Sequence, residues 1–149
     1  MPPHSSSRAV GVGRVLIAVY GILALAATAR SAVQIIERFD EAPLAYVLSA
    51  VSAVVYIAAT AALVGRGRTW YLVALVAIIF ELVGVLAVGT LSLTMPELFA
   101  HPSVWSWFGA GYVFIPLVLP ILGLIWLAKR RGDIETSDAV AVGDAVGGR

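Results

Sequence analysis

The sequence contains no cysteine, and only 13% of its 149 residues are charged. The absence of cysteine excludes disulfides, thiolate metal sites, iron–sulfur clusters and c-type haem attachment. The two histidines, His4 and His101, both lie outside the long apolar runs. A haem held between two histidines inside a helical bundle is therefore excluded for a single chain, and we expect no cofactor and no metal site.

Patterns that indicate catalysis are also missing. The sequence shows no Ser-His-Asp order, no zinc-ligand spacing, no glycine-rich phosphate loop and no pair of catalytic carboxylates. It has no basic stripe beyond the residues that flank the apolar runs, so nucleic acid is not an expected partner. We therefore do not expect an enzyme.

Hydrophobic residues, in contrast, make up 60% of the chain, and the mean hydropathy is +0.95. Each of four apolar runs has about 20 residues, enough to cross a hydrocarbon core of about 30 Å. Each run is apolar on all sides, which a helix of a soluble protein is not. The predicted spans are 15–36, 44–64, 70–93 and 108–128. The predicted fold is an all-α, polytopic membrane protein with a four-helix transmembrane bundle.

This transmembrane domain covers 15–131, and we expect disordered cytoplasmic segments at 1–14 and 132–149, which show no apolar periodicity. Lysine and arginine set the orientation, since they are enriched on the cytoplasmic side. The loop that follows the third run has neither. Both termini are therefore predicted to be cytoplasmic. The basic residues on that side are Arg8, Arg14, Arg66, Arg68, Lys129, Arg130 and Arg131.

The first run also admits a second interpretation, a cleavable signal peptide. "RVLIAVYGILALAATARS" has basic residues, an apolar core and the small-residue sequence "ATA", after which cleavage would remove 1–29. Against cleavage, the apolar character resumes after Arg30 as "SAVQII" and completes a full span. The other three spans keep their orientation in either case.

Two charged residues lie within the spans. Glu81, in "IIFELVG", is eleven residues beyond Trp70 and so about 16 Å into the membrane, near its midplane. A short carboxylate there must be protonated, hydrogen-bonded or paired with a cation. Arg30 either pairs with Glu81 or extends its long side chain to the headgroups.

Other polar groups fall at similar depths. Ser49, Ser52 and Tyr56 are spaced as one helical face, although such stripes also serve ordinary helix packing. Prolines in the fourth run are expected to release backbone carbonyls. If all these groups face inward, they form one connected cluster, a candidate proton or substrate site. Its predicted members are Arg30, Gln34, Ser49, Ser52, Tyr56, Glu81, Tyr112 and Pro116.

The loop after the third run, "TMPELFAHPSVWSWFGAGY", is the second candidate site. "WSWF" is expected to lie in the headgroup plane, where tryptophan is enriched. Glu97 and His101 are four residues apart, but one histidine with scattered carboxylates is poor support for a cation site. The predicted role is a surface for a partner, formed by Glu97, His101, Trp105 and Trp107.

Three stretches resemble a group of small four-span integral membrane proteins encoded by actinobacteria. They are "FDEAPLAYVLSAVSAVVYIAAT", "ELVGVLAVGTLSL" and "VWSWFGAGYVFIPLVLPILGLIWL". The resemblance runs from the first span to Trp126. It implies the four-span topology and a location in the bacterial plasma membrane, and it implies no activity.

Three functions are compatible with these features. The first is an accessory or scaffold component of a larger membrane or envelope complex. The second is a small, dimeric, proton-coupled carrier that uses Glu81 and Arg30. The third, a membrane enzyme acting on lipid or quinone, ranks last because no nucleophile or base is recognisable. Besides the lipid bilayer, the expected partner is thus a larger complex or a second copy of the chain.

Overall fold

The computed structural model describes residues 5–148, with side chains at 10–132 and 139–148. This part of the chain is helical and has no strand, which confirms the predicted all-α class. The long helices are α1 (Ser5–Arg38), α2 (Pro43–Val64), α3 (Arg68–Thr94) and α4 (Ile115–Gly147), and the short 3-10 segments are Phe39–Glu41, Pro96–Phe99 and Ser106–Tyr112.

Three helical stretches are long and apolar enough to cross a membrane: Val10–Glu41, Pro43–Val64 and Arg68–Thr94. A fourth crossing exists only if Ser106–Tyr112 and Ile115–Gly132, which meet at 97°, together count as one bent span. The described part of the chain therefore has the three to four spans of a multi-pass membrane protein.

The helices pack mainly on their neighbours in sequence. α1 lies along α2, α2 along α3, and α3 along both α4 and the Ser106–Tyr112 segment. A smaller contact between α1 and α4 brings the first and last helices together. The centre is filled by side chains from all four helices, among them Tyr20, Tyr56, Ile78, Val85 and Leu127.

The fourth predicted span, 108–128, is wrong as a continuous helix. α4 begins only at Ile115, and its apolar part up to Lys129 has about 14 residues, or roughly 21 Å. That length is shorter than the hydrocarbon core. The chain before it turns away, with left-handed backbone angles at Trp107 and Phe108 and again at Val113 and Phe114.

Proline and glycine explain this break. Proline disfavours helix at the residue before it and fits best in a first turn, which is where Pro116 stands in α4. Gly109 has φ of 79°, and a Cβ atom there would lie 2.8 Å from the Pro116 ring. Only a residue without a side chain allows this approach. Hydropathy shows neither constraint, so the run looked continuous in sequence.

The structure also differs from the prediction at both ends. α1 begins at Ser5 and α4 continues to Gly147, where disordered segments were expected over 1–14 and 132–149. Residues 1–4 and 149 lie outside the described residues. The side chains of 139–147 are exposed, so that part of α4 depends on backbone hydrogen bonds and helix propensity, which no apolar pattern reports.

Basic residues from three parts of the chain meet at one end of the molecule, here called the basic end. The turn that carries Arg66 lies beside Trp126 and Arg130 of α4. A Cβ atom on Gly13, which precedes Arg14, would lie 2.8 Å from the Trp126 ring. The opposite end, here called the loop end, holds residues 39–42 and 95–106.

Candidate functional site

Glu81 is completely buried at the middle of α3. Its Oε2 atom accepts a hydrogen bond of 2.6 Å from the hydroxyl of Tyr20 on α1. Its Oε1 atom is also buried and has no hydrogen-bond partner among the described residues. One oxygen of the carboxyl group is thus satisfied inside the protein, while the other is not.

Two further aromatic side chains extend this arrangement into a polar layer, defined by Tyr20, Tyr56, Glu81 and Trp105. The rings of Tyr20 and Tyr56 have centroids 6.2 Å apart. The Tyr56 hydroxyl accepts a hydrogen bond of 2.8 Å from Nε1 of Trp105. The layer therefore joins α1, α2, α3 and the segment before α4 at one depth.

Trp105 reaches this depth because α3 presents glycine to it. A Cβ atom on Gly84 would lie 2.5 Å from the Trp105 ring, and one on Gly89 would collide with the ring of Phe108. Small residues on a membrane helix let a neighbour approach closely. Gly84 and Gly89 thus form the surface on which residues 105–112, here called the bent segment, pack.

Arg30 does not contact Glu81, so of the two alternatives left open for Arg30 the ion pair is not formed. The Arg30 guanidinium donates a hydrogen bond of 2.7 Å to the carbonyl oxygen of Pro102 and lies 6.0 Å from the centroid of the Tyr112 ring. Arg30 is sixteen residues beyond Arg14 and so about 24 Å into the membrane on the rise of a helix, about 8 Å deeper than Glu81. A long side chain directed toward the loop end makes that separation larger.

The serine stripe of α2 binds the loop. Oγ of Ser49 accepts a hydrogen bond of 3.3 Å from the backbone N–H of Val104. Oγ of Ser52 donates to the Ser49 carbonyl at 2.7 Å. Within the loop, Oγ of Ser106 accepts from the Ser103 N–H at 2.8 Å. Non-helical backbone buried at this depth needs such partners, because lipid offers none.

The remaining members of the predicted cluster do not meet at Glu81. Gln34 is half-buried, and its Oε1 atom has no hydrogen-bond partner among the described residues. Tyr112 lies beside Arg30, and Pro116 is buried in the first turn of α4, where it breaks no helical hydrogen bond. The single connected cluster is therefore wrong: the Arg30 contacts and the polar layer are separate groups.

The four residues of the predicted partner surface also separate. Glu97 and Trp107 are exposed. His101 lies 3.1 Å from the Glu41 carboxylate, which ties the two loops of the loop end together. Trp105 is 2% exposed, so its assignment to an external surface is wrong. "WSWF" does not lie flat as one interfacial segment; its first tryptophan enters the protein and its second faces outward.

Tyr20 was missed by sequence reasoning, although a signal existed. A tyrosine in the middle of an apolar span carries a hydroxyl that needs a partner, just as Glu81 does. Opposite charge instead drew attention to Arg30 as the partner of Glu81. The polar layer can hold a proton on Glu81 or bind a small polar species at Oε1. No group of three or more metal-ligating side chains occurs in the described part of the chain.

Outside the layer, a groove of about 770 Å³ lies between α2 and α3. All of its lining side chains are apolar. α2 contributes residues at helical spacing, Val47, Ala50, Val54 and Ala58, and α3 contributes Leu72, Val76 and Phe80 from its first half. The groove was not predicted, because the sequence shows an apolar face but not its curvature.

Comparison with known proteins adds no relative: no protein-family model, no curated protein and no solved structure matches this chain.

Proposed function

We propose that the protein is an accessory subunit of a larger membrane complex, and that it receives a transmembrane helix of its partner in the α2–α3 groove. The observation that carries this proposal is the groove itself, which is apolar along its whole lining and open on the outside of the molecule.

The dimensions of the groove suit a helix. Its α2 wall runs from Val47 to Ala58, eleven residues apart and so about 16 Å, or three helical turns. In lipid, helices associate through close packing and not through a hydrophobic force. A concave surface with Ala50 and Ala58 along it offers more packing to a convex helix than to flexible lipid chains.

The partner is a different protein and not a second copy of the same face. Two copies joined groove to groove would leave both concavities unfilled, because every lining side chain except Phe80 is short. A groove that binds another face of a second copy would make a head-to-tail contact, which propagates into rings or filaments. A single helix from another protein fills the groove and gives a contact that does not propagate.

The polar layer supports a structural role. Tyr20 satisfies one oxygen of Glu81, and Trp105 satisfies Tyr56. Both hydrogen bonds join distant parts of the chain: the first joins α1 to α3, and the second holds the bent segment against α2, one of the two helices that form the groove. In this account Glu81 stabilises the scaffold.

The proposed location is the bacterial plasma membrane with both termini in the cytoplasm. The convergence of Arg66 and Arg130 at the basic end supports this orientation through the positive-inside rule. The resemblance to small actinobacterial four-span proteins supports the membrane and remains part of the proposal.

Site-specific photo-cross-linking in the native membrane tests the groove. A photoreactive phenylalanine analogue at Val54 or Val76 samples the two walls, while Ile22 on α1 is an equally exposed control. We expect the two groove positions to capture the same protein through one of its membrane-spanning segments, and the control position to give no such product.

A second experiment compares a variant that fills the groove with a control variant that leaves the groove open. Ala50→Phe places a bulky ring in the groove, and Ala29→Phe places the same ring on the exposed side of α1. The cross-link from Val76 should disappear only with Ala50→Phe. Products between two copies of this chain, or equal products from Ile22, would refute the proposed partner helix.

A second candidate function, proton-coupled transport by a dimer, is favoured by one observation: Oε1 of Glu81 is buried and without a partner among the described residues. Arg30 has no part in it, since it does not contact Glu81. In that case Val54 would cross-link to a second copy, and proton-dependent uptake into vesicles would be lost in Glu81→Gln.

A further inference from the structure

At the basic end, the turn between α2 and α3 and the last apolar turn of α4 enclose a small cleft of about 70 Å³. Arg66 stands on one side and Arg130 on the other. The two arginines are 64 residues apart in sequence (130 − 66), so their meeting is a property of the fold and not of a single basic segment.

The Arg130 side of the cleft is held in place by aromatic contacts. The Arg130 guanidinium lies over the Trp126 ring, 4.9 Å from its centroid, a cation–π contact that restricts its position. The Tyr71 hydroxyl donates a hydrogen bond of 3.1 Å to the Leu127 carbonyl, which joins the first turn of α3 to α4. The Arg130 side of the cleft is therefore preorganised.

Among the side chains that the structure describes, none balances the positive charge of the cleft. Neither Arg66 nor Arg130 forms an ion pair with an acidic side chain in the part of the chain whose side chains the structure describes. The turn itself, "VGRGRT", contains no acidic residue. Two guanidinium groups that face one cleft attract a group with more than one acceptor oxygen, and phosphate suits their fork of donors.

The floor of the cleft has the opposite character. Ala62, Leu63, Ala74 and Leu127 line it, all of them buried. The cleft thus combines arginines, aromatic rings and apolar side chains, the kinds of group that suit the phosphate and glycerol of a phospholipid and the start of its acyl chains. Tryptophan and tyrosine are enriched at that level of the bilayer.

We infer that this cleft binds the phosphodiester headgroup of an anionic phospholipid, with Arg66 and Arg130 as its phosphate ligands. Basic pockets between membrane helices on the cytoplasmic side are where such headgroups bind. The inference is independent of the partner proposed for the α2–α3 groove, which lies on another part of the surface.

Native mass spectrometry of the full-length protein in mild detergent tests the site. The protein is equilibrated with equal amounts of dioleoyl phosphatidylglycerol and dioleoyl phosphatidylcholine, and the retained lipid is counted. We expect preferential retention of one phosphatidylglycerol. Arg66→Gln with Arg130→Gln should lower its affinity roughly 30-fold, because two arginine–phosphate contacts are lost near the membrane surface.

The matched control removes the same charge elsewhere at the basic end. Arg68→Gln with Lys129→Gln alters two exposed residues that do not line the cleft, and retention should be unchanged. An equal loss in this control would show general surface attraction and overturn the site, as would unchanged retention in the cleft variant.

A competition experiment distinguishes a lipid headgroup from free inorganic phosphate as the ligand of the cleft. Inorganic phosphate in large excess should leave the lipid bound, because it cannot use the apolar floor. Displacement of the lipid by inorganic phosphate would identify a free-anion site and contradict the lipid assignment. The thermal midpoint of each variant checks that it is folded; both pairs are exposed, so we expect little change.

Discussion

Tyr20→Phe should destabilise the protein by about 1–3 kcal/mol, because it removes one hydroxyl and leaves the buried Glu81 without its hydrogen-bond donor. Glu81→Leu removes the other partner and should cost a similar amount. The double variant should cost less than the sum, because no buried polar group of this pair then remains unmatched. Unfolding in mild detergent, followed by circular dichroism, measures all four proteins.

A control double-mutant cycle combines Glu81→Leu with Arg30→Ala in place of Tyr20→Phe. Arg30→Ala loses the hydrogen bond to the Pro102 carbonyl, a contact separate from Glu81, so its effect and that of Glu81→Leu should add within about 0.5 kcal/mol. A coupling between Arg30 and Glu81 larger than that between Tyr20 and Glu81 would contradict the observed contacts and restore the ion pair.

Gly84→Ala should lower the stability by about 1–3 kcal/mol, the cost of overpacking a filled site. The added methyl group would lie 2.5 Å from the Trp105 ring, so the ring must move and the hydrogen bond from Trp105 to Tyr56 must lengthen or break. Thermal unfolding gives the change in stability, and near-ultraviolet circular dichroism reports the displaced tryptophan.

Gly21→Ala is the control on α1. A Cβ atom there meets only Thr60, at an ordinary distance of 3.8 Å. Alanine is about 1 kcal/mol better than glycine within a helix, so this variant should be neutral or stabilised. If the two alanine variants behave alike, the segment that carries Trp105 does not pack on α3 as described.

The hydropathy of the sequence was sufficient to locate the two central helices. The predicted 44–64 and 70–93 agree closely with α2 and α3, because each is a long run bounded by proline, glycine or arginine. Hydropathy failed over 108–114, where the constraint is steric. Pro116 stands in the first turn of α4, and Gly109 lets the preceding chain fold against the Pro116 ring. Sliding averages of hydropathy do not contain that information.

The candidate site shows the same limit at the level of contacts. A glutamate in an apolar run predicts its own burial, since lipid cannot solvate it, and Glu81 is buried. Its partner depends on side-chain direction and on which helices adjoin. Tyr20 and Arg30 lie on the same span, and only the packing of α1 on its neighbours decides that the hydroxyl, and not the guanidinium, reaches the carboxyl group.

Native mass spectrometry of the protein released gently from its own membrane tests whether the α2–α3 groove holds a helix of another subunit. We expect the 15.6 kDa chain in a stoichiometric complex with a larger membrane protein, and loss of that complex in Ala50→Phe but not in Ala29→Phe. A bare monomer, or a homodimer that survives Ala50→Phe, would contradict it.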